Sequence, residues 1–167
     1  MPYIVFAILI LIAIGIHLAL HPSARAWPNI IEVCLLYGLV IGVGLSSLLG
    51  FIAHTFFADT TARQIGWPTG NPFQFEVAMA NLALAVLGIL CIWLRGNFWY
   101  ATIIGYSILA LGAAYGHIVQ IIVNQDYAPD NAGAVLYYDI LLPVFLLVLL
   151  VLSMLPKGAA KAPAVSA

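Results

Sequence analysis

Five stretches of this chain are apolar over enough consecutive residues to cross a hydrocarbon layer, and this limits the possible folds more than any motif does. A crossing helix needs about 20 residues. The runs fall near Pro2–Leu20, Ile30–Phe57, Pro72–Leu94, Phe98–Val123 and Gly133–Leu155. Backbone amides in lipid must be paired within their own segment unless a barrel closes, and these uninterrupted runs lack the alternation of barrel strands. Of 167 residues 65% are hydrophobic and only 7% charged, too little charge to coat a water-soluble domain of this size. The expected fold is all-α, an integral membrane bundle of five transmembrane helices forming a single domain over 1–155. The stretch 156–167, made largely of Ala, Pro, Lys and Ser, has no apolar face and is expected to be a disordered cytoplasmic tail.

Charge sets orientation and removes one class of partner. Five Lys/Arg against six Asp/Glu, with no basic run, leave no electrostatic footprint for nucleic acid. With the N-terminus outside, Arg25, Arg95, Lys157 and Lys161 fall inside and only Arg63 outside, the bias of the positive-inside rule. This predicts an N-out, C-in protein of the cell membrane, with the lipid bilayer as its surroundings. Ala24-Arg25-Ala26 has the small-x-small form of a signal-peptide cleavage site. The amino end carries no Lys or Arg, however, and the apolar run exceeds an h-region of about 7–15 residues, so the first span is expected to be retained. Trp27, Trp93, Trp99 and Tyr100 then mark the inner boundary and Trp67 and Tyr127 the outer one, as interfacial aromatics do. Cys34 and Cys91 lie toward the cytoplasmic ends and read as small apolar residues.

Small residues predict the packing. Gly38, Gly42, Ser46, Gly50 and His54 recur every four residues on the second helix, a narrow stripe on which backbones can approach. Gln74, Ala78, Asn81, Ala85 and Gly88 follow the 4-3-4-3 seam of left-handed packing on the third. Gly105, Gly112, Gly116 and Gln120 run along one side of the fourth and are likewise expected to face protein. Such stripes also suit a homo-oligomer or a partner in a membrane complex. Asn71 can cap the third helix, with Pro72 at its first position and Gln74 completing a capping-box-like arrangement. Pro143 predicts a kink in the fifth helix, because the Asp139 carbonyl loses its usual partner.

The ionisable residues inside the spans are concentrated at one depth. His54, Glu76, His117 and Asp139 come from four helices and all fall in the predicted outer third, with Asn81 and Gln120 at a similar height. The adjoining loops add Asp59, Trp67, Asp126, Asp130 and Asn131. These loops are dense in turn formers and are expected to lid the layer, with Asp59, Trp67 and Asn131 as lid residues and Asp130 or Asn131 capping the fifth helix. A charge at the bilayer centre costs something like 2.5–3.5 kcal/mol, so groups kept there pair with one another or face water. The layer therefore has three readings: hydrogen-bonded cross-links between helices, an outward-facing cavity for a proton, ion or small polar solute, or a site for haem or a divalent metal. In the last, His54 and His117, aided by Glu76 and Asp139, would be the ligands, although no Glu-x-x-His or His-x3-His spacing surrounds either layer histidine.

His17, His21 and Glu32 at the other end read as interfacial groups. Tyr115, Tyr137 and Tyr138 flank the layer, and Arg63 is placed to pair with Asp59 across one turn of a short helical extension.

His54-Thr-Phe-Phe-Ala-Asp59, the run Gly66-Trp67-Pro68-Thr69-Gly70-Asn71-Pro72-Phe73-Gln74 with Glu76 and Asn81, Gly116-His117-Ile118, and Ala128-Pro129-Asp130-Asn131-Ala132-Gly133 with Asp139 stand out together. They resemble an uncharacterised family of small bacterial and archaeal multi-pass membrane proteins over roughly Gly50 to Pro143. That resemblance implies a fold and a set of signature positions and assigns no activity. The leading expectation is a non-enzymatic membrane protein, transporter-like, sensing, or a subunit of a membrane complex. The alternative is a redox protein that binds haem or a metal through His54 and His117.

Overall fold

In the computed structural model, which describes residues 2–27 and 29–155, the described residues form helices and connecting turns with no strand. The tail expected at 156–167, with Lys157 and Lys161, lies outside the described residues. Helix α1 (Pro2–Leu20) leads through a short 3-10 turn (Pro22–Arg25) into α2 (Asn29–Tyr37), which continues without a break through a π-helical segment (Gly38–Leu45) into α3 (Ser46–Phe56). Then come α4 (Ala58–Ile65), α5 (Phe73–Leu90), α6 (Asn97–Asn124) and α7 (Ala134–Met154). Among the described residues, five continuous helical stretches are long and apolar enough to cross a membrane. They match the five runs read from the sequence to within a few residues.

The bundle consists of two tight pairs, α3 with α5 and α6 with α7, joined by α2 and the π-helical segment, while α1 packs against α2, that segment and α7. Leu39, Val43, Ile103 and Leu146 are fully buried at its centre. α1 is exposed along most of its length. Its composition makes that face suited to lipid.

The π-helical segment rewrites the expected stripe on the second span. Its i→i+5 hydrogen bonding puts more residues into each turn, so positions four apart no longer stay in line. Gly38 and Gly42 face Leu146 and Leu142 of α7, whereas Gly50 faces the Asn81 side chain of α5. The closest crossing is made by Gly44, off the stripe: a Cβ on Gly88 would lie 2.5 Å from the Gly44 nitrogen, so Gly88 has no room for a side chain, and one on Gly44 would press on the α5 backbone at 3.1 Å. The seam on α5 does face protein, with Gln74, Ala78, Ala85 and Gly88 buried.

On α6 the expectation is reversed. The buried face carries Trp99, Thr102, Ile103, Tyr106, Ser107, Ala110 and Ala114. Gly105, Gly112 and Gly116 have open space where a Cβ would be built. Larger residues fill the interior here, so the glycine stripe is left on the outside. Trp99 is not an interfacial anchor either, because it is 4% exposed and its Nε1 donates to the Cys91 carbonyl at 2.9 Å. Trp27, Trp93 and Tyr127 are exposed, as interfacial residues are. Pro143 is fully buried inside α7.

Candidate functional site

The expected polar layer resolves into two separate histidine clusters at the end where α3, α5, α6 and α7 meet the Trp67 and Asp126 loops. The first is built on α6 and α7. His117 Nδ1 is 2.6 Å from Asn131 Oδ1, and Asn131 Nδ2 donates to the Asp126 carbonyl at 2.7 Å. A backbone carbonyl can only accept, so the amide's NH2 faces Asp126 and its oxygen faces the histidine. His117 Nδ1 must therefore be the donor. On the other side of the ring, Nε2 lies 3.8 Å from Asp139 Oδ2, with the two side chains 12% and 16% exposed. With Nδ1 committed, neutral Nε2 and an ionised carboxylate are both acceptors. A proton carried by either one removes the conflict.

The second cluster is built on α3 and α5 by the same rule. His54 Nδ1 is 2.5 Å from Gln74 Oε1, and Gln74 Nε2 donates to the Ala58 carbonyl at 2.6 Å. Gln74 and Asn131 are 3% and 1% exposed, so both amides are fully inside and both are satisfied at each end. The His54 ring lies beside the Trp67 indole, 6.3 Å between centroids and tilted by 43°. In each cluster one buried amide fastens a histidine on a long helix to a backbone carbonyl beyond the helix end.

Helix α4, which carries the Ala58 carbonyl, and the Asp126 loop come together. Gly66 ends α4 in the left-handed region at φ 87°, with Trp67 N–H bonded to the Ala62 carbonyl at 2.8 Å. The Asp126 carboxylate occupies the space beside Gly66, with Oδ2 2.1 Å from where a Cβ would be. Asp130 N–H donates to the Gln64 carbonyl at 2.9 Å. Asp59 Oδ1 accepts from Gly70 N–H at 3.1 Å, holding the first loop. Trp67 and Asn131 thus sit at the histidine clusters, while Asp59 acts one step removed.

Other expected members stand apart. Glu76 is exposed and makes no hydrogen bond or ion pair among the described residues, because its position on α5 is turned away from the Gln74 seam. Asn81 donates to the Val77 carbonyl at 2.9 Å and packs on Gly50. Gln120 turns toward the helix end, where it accepts from Asn124. Among the described residues no group of three or more His, Cys, Asp or Glu could hold a metal ion. His54, His117, Glu76 and Asp139 therefore do not form the expected ligand set, since the two histidines sit in separate clusters and Glu76 is turned away from both.

Several local expectations also change. Asn71 Oδ1 does cap α5, accepting from Phe73 N–H at 3.0 Å, but the Gln74 side chain is drawn off to His54 and makes no capping box. Neither Asp130 nor Asn131 caps α7, whose start at Gly133 has no side-chain cap. Arg63 bonds Thr60 Oγ1 at 3.3 Å and not Asp59. Tyr115 and Tyr137 are 71% and 62% exposed, whereas Tyr138 is buried and donates to the Gly42 carbonyl at 2.9 Å, in the π-helical segment. Tyr138 also meets the Tyr3 ring at 5.0 Å. Gln74 as a histidine partner was hidden in the sequence by its seam position.

The chain belongs to a family of unknown function, DUF6790, whose profile matches residues 1–158. No curated protein and no solved structure matches it.

Proposed function

We propose that this member of the family is a non-enzymatic, multi-pass protein of the cell membrane that senses protons through the His117–Asp139 pair at its outward end. One observation carries the reading: an imidazole whose Nδ1 is committed to Asn131 faces a carboxylate across 3.8 Å, in a nearly buried place. Such a pair seats one proton, and histidine is the side chain whose charge ordinarily changes between pH 5 and 8. When the proton is present, His117 and Asp139 attract. When it is lost, two acceptors face each other at the joint between α6, α7 and the Asp126 loop. The joint is therefore expected to hold in acid and to loosen in base. The neighbouring titratable groups are Asp126 and Asp130 on the loop, Tyr3 on α1, Tyr106 on α6 and Tyr138 on α7.

The test is hydrogen exchange of the protein in lipid nanodiscs, corrected for intrinsic rates, at pH 5.5 and pH 8. Amides of 124–133 are expected to exchange several-fold faster at the higher pH, and His117→Gln and Asp139→Asn should each abolish the difference. Equal protection at both pH values in the unsubstituted protein, or a pH response retained in both variants, overturns the reading.

A second reading, passage of protons through the bundle, is favoured by the Tyr138 hydroxyl, one residue from Asp139, donating to the Gly42 carbonyl, which also accepts from Ser46. Proteoliposomes under an imposed pH gradient should then leak protons in a way that Asp139→Asn stops.

A further inference from the structure

We propose that His17 and His21 form a binding site for a divalent late transition-metal ion of the Zn2+ class, at the Arg95 end of the bundle and away from the polar layer. The two histidines are four residues apart, His17 in the last turn of α1 and His21 just past its end, so they share one face. Their ring centroids are 4.8 Å apart. Bonds of about 2.0–2.1 Å from one ion to two imidazole nitrogens span such a gap.

The other ring nitrogens are already occupied. His21 Nδ1 lies 3.1 Å from the His17 carbonyl, which can only accept, so Nδ1 carries the hydrogen and a neutral His21 has a bare lone pair on Nε2. His17 Nδ1 lies 3.0 Å from the Tyr37 hydroxyl, which accepts when Nδ1 carries the hydrogen and the Nε2 lone pair is bare, and the Tyr37 ring meets it edge-on at 5.7 Å. A ring oriented through one nitrogen, with the other left free, is the arrangement that metal-ligating histidines adopt. A bare lone pair suits an electrophile.

Both rings line a hollow of about 440 Å³ with Ser23, Asn29, Glu32 and Arg95. Among the described residues no third ligand already stands at metal spacing. Glu32 is the acid in this hollow, held by Arg95 at 2.8 Å with both side chains about half-exposed. An ion pair that exposed is weak, so the carboxylate is free to swing to a metal, with water completing the set. Two imidazoles and a carboxylate suit zinc, nickel or copper better than magnesium.

The test is calorimetric titration of the purified full chain in detergent at pH 7.5 with Zn2+ alone, and with Mg2+ as comparison. One saturable Zn2+ site per chain is expected, with no Mg2+ binding. His21→Ala, an exposed position that can lose its ring without disturbing the core, should weaken the site at least tenfold, and His17→Gln should do the same. Glu32→Gln should weaken it about threefold, while His54→Ala and His117→Ala leave it unchanged. Absence of saturable binding, full affinity in His21→Ala and His17→Gln, or equal loss in His54→Ala overturns the site; full affinity in Glu32→Gln removes the carboxylate from it.

Discussion

His117 and His54 each give Nδ1 to a buried carboxamide that in turn holds a backbone carbonyl, yet their Nε2 sides differ. His117 has Asp139 at 3.8 Å, and His54 has the Trp67 ring beside it. The amide halves are equivalent fasteners between a histidine and a backbone carbonyl past the end of its helix. Only the first has an opposite charge within reach, so protonation gains it an ion-pair partner and gives the second none. The same hydrogen-bonding unit becomes a pH-responsive joint in one place and a neutral bolt in the other, according to what faces the far nitrogen.

The largest effect is expected at the amide of the charged joint. Asn131→Ala strands His117 Nδ1 and the Asp126 carbonyl inside the protein, and each buried polar group left unpaired costs about 1–3 kcal/mol. A loss of about 2–4 kcal/mol should appear in denaturant unfolding, and Gln74→Ala, which strands His54 Nδ1 and the Ala58 carbonyl, should cost about as much. If Gln74→Ala proves the costlier, the two fasteners are not equivalent. Gly66→Ala comes next: a side chain in the left-handed region costs about 1–2 kcal/mol, and its Cβ would collide with the Asp126 carboxylate. Because Gly66 lies where the loops meet, this variant should raise hydrogen exchange in both loops, and a response confined to one would separate them.

A smaller, spectroscopic effect distinguishes the joints. Protonated imidazole beside an indole quenches its emission, so a His54 that stays neutral leaves the Trp67 fluorescence unchanged between pH 8 and 5.5. A fall over that range that His54→Gln or Trp67→Phe removes and His117→Gln leaves would show that this joint titrates too. The smallest effect is expected at the far end of the bundle. Glu32→Gln breaks the exposed Arg95 pair and should change stability by no more than about 0.5 kcal/mol.

The helices were legible because apolar length is a local property: Pro2–Leu20 is read from the chain with the bounds the structure shows. The seam on α5 was legible for the same reason, as ordinary helical spacing keeps Gln74, Ala78, Ala85 and Gly88 on one face. The stripe across Gly38–His54 was not, because the π-helical segment changes the angular step partway along it. The outward-facing glycines of α6 were misread because a small residue permits close approach without requiring it. At the other end, the four-residue spacing of His17 and His21 was visible in the sequence. The fixing of each Nδ1, by Tyr37 of α2 and by the His17 carbonyl, was not.

Apolar run lengths and scarce charge decided, from the residues alone, that this chain forms five long helices and carries His54, His117, Glu76 and Asp139 toward one end, with His17, His21 and Glu32 toward the other. Only the packed bundle decided which of them meet: His117 with Asn131 and Asp139, His54 with Gln74, and Glu76 with none among the described residues. Helical period and hydropathy depend on neighbours a few positions away. A hydrogen bond between α3 and α5, or between α6 and the loop before α7, depends on rotation and depth, which packing alone sets.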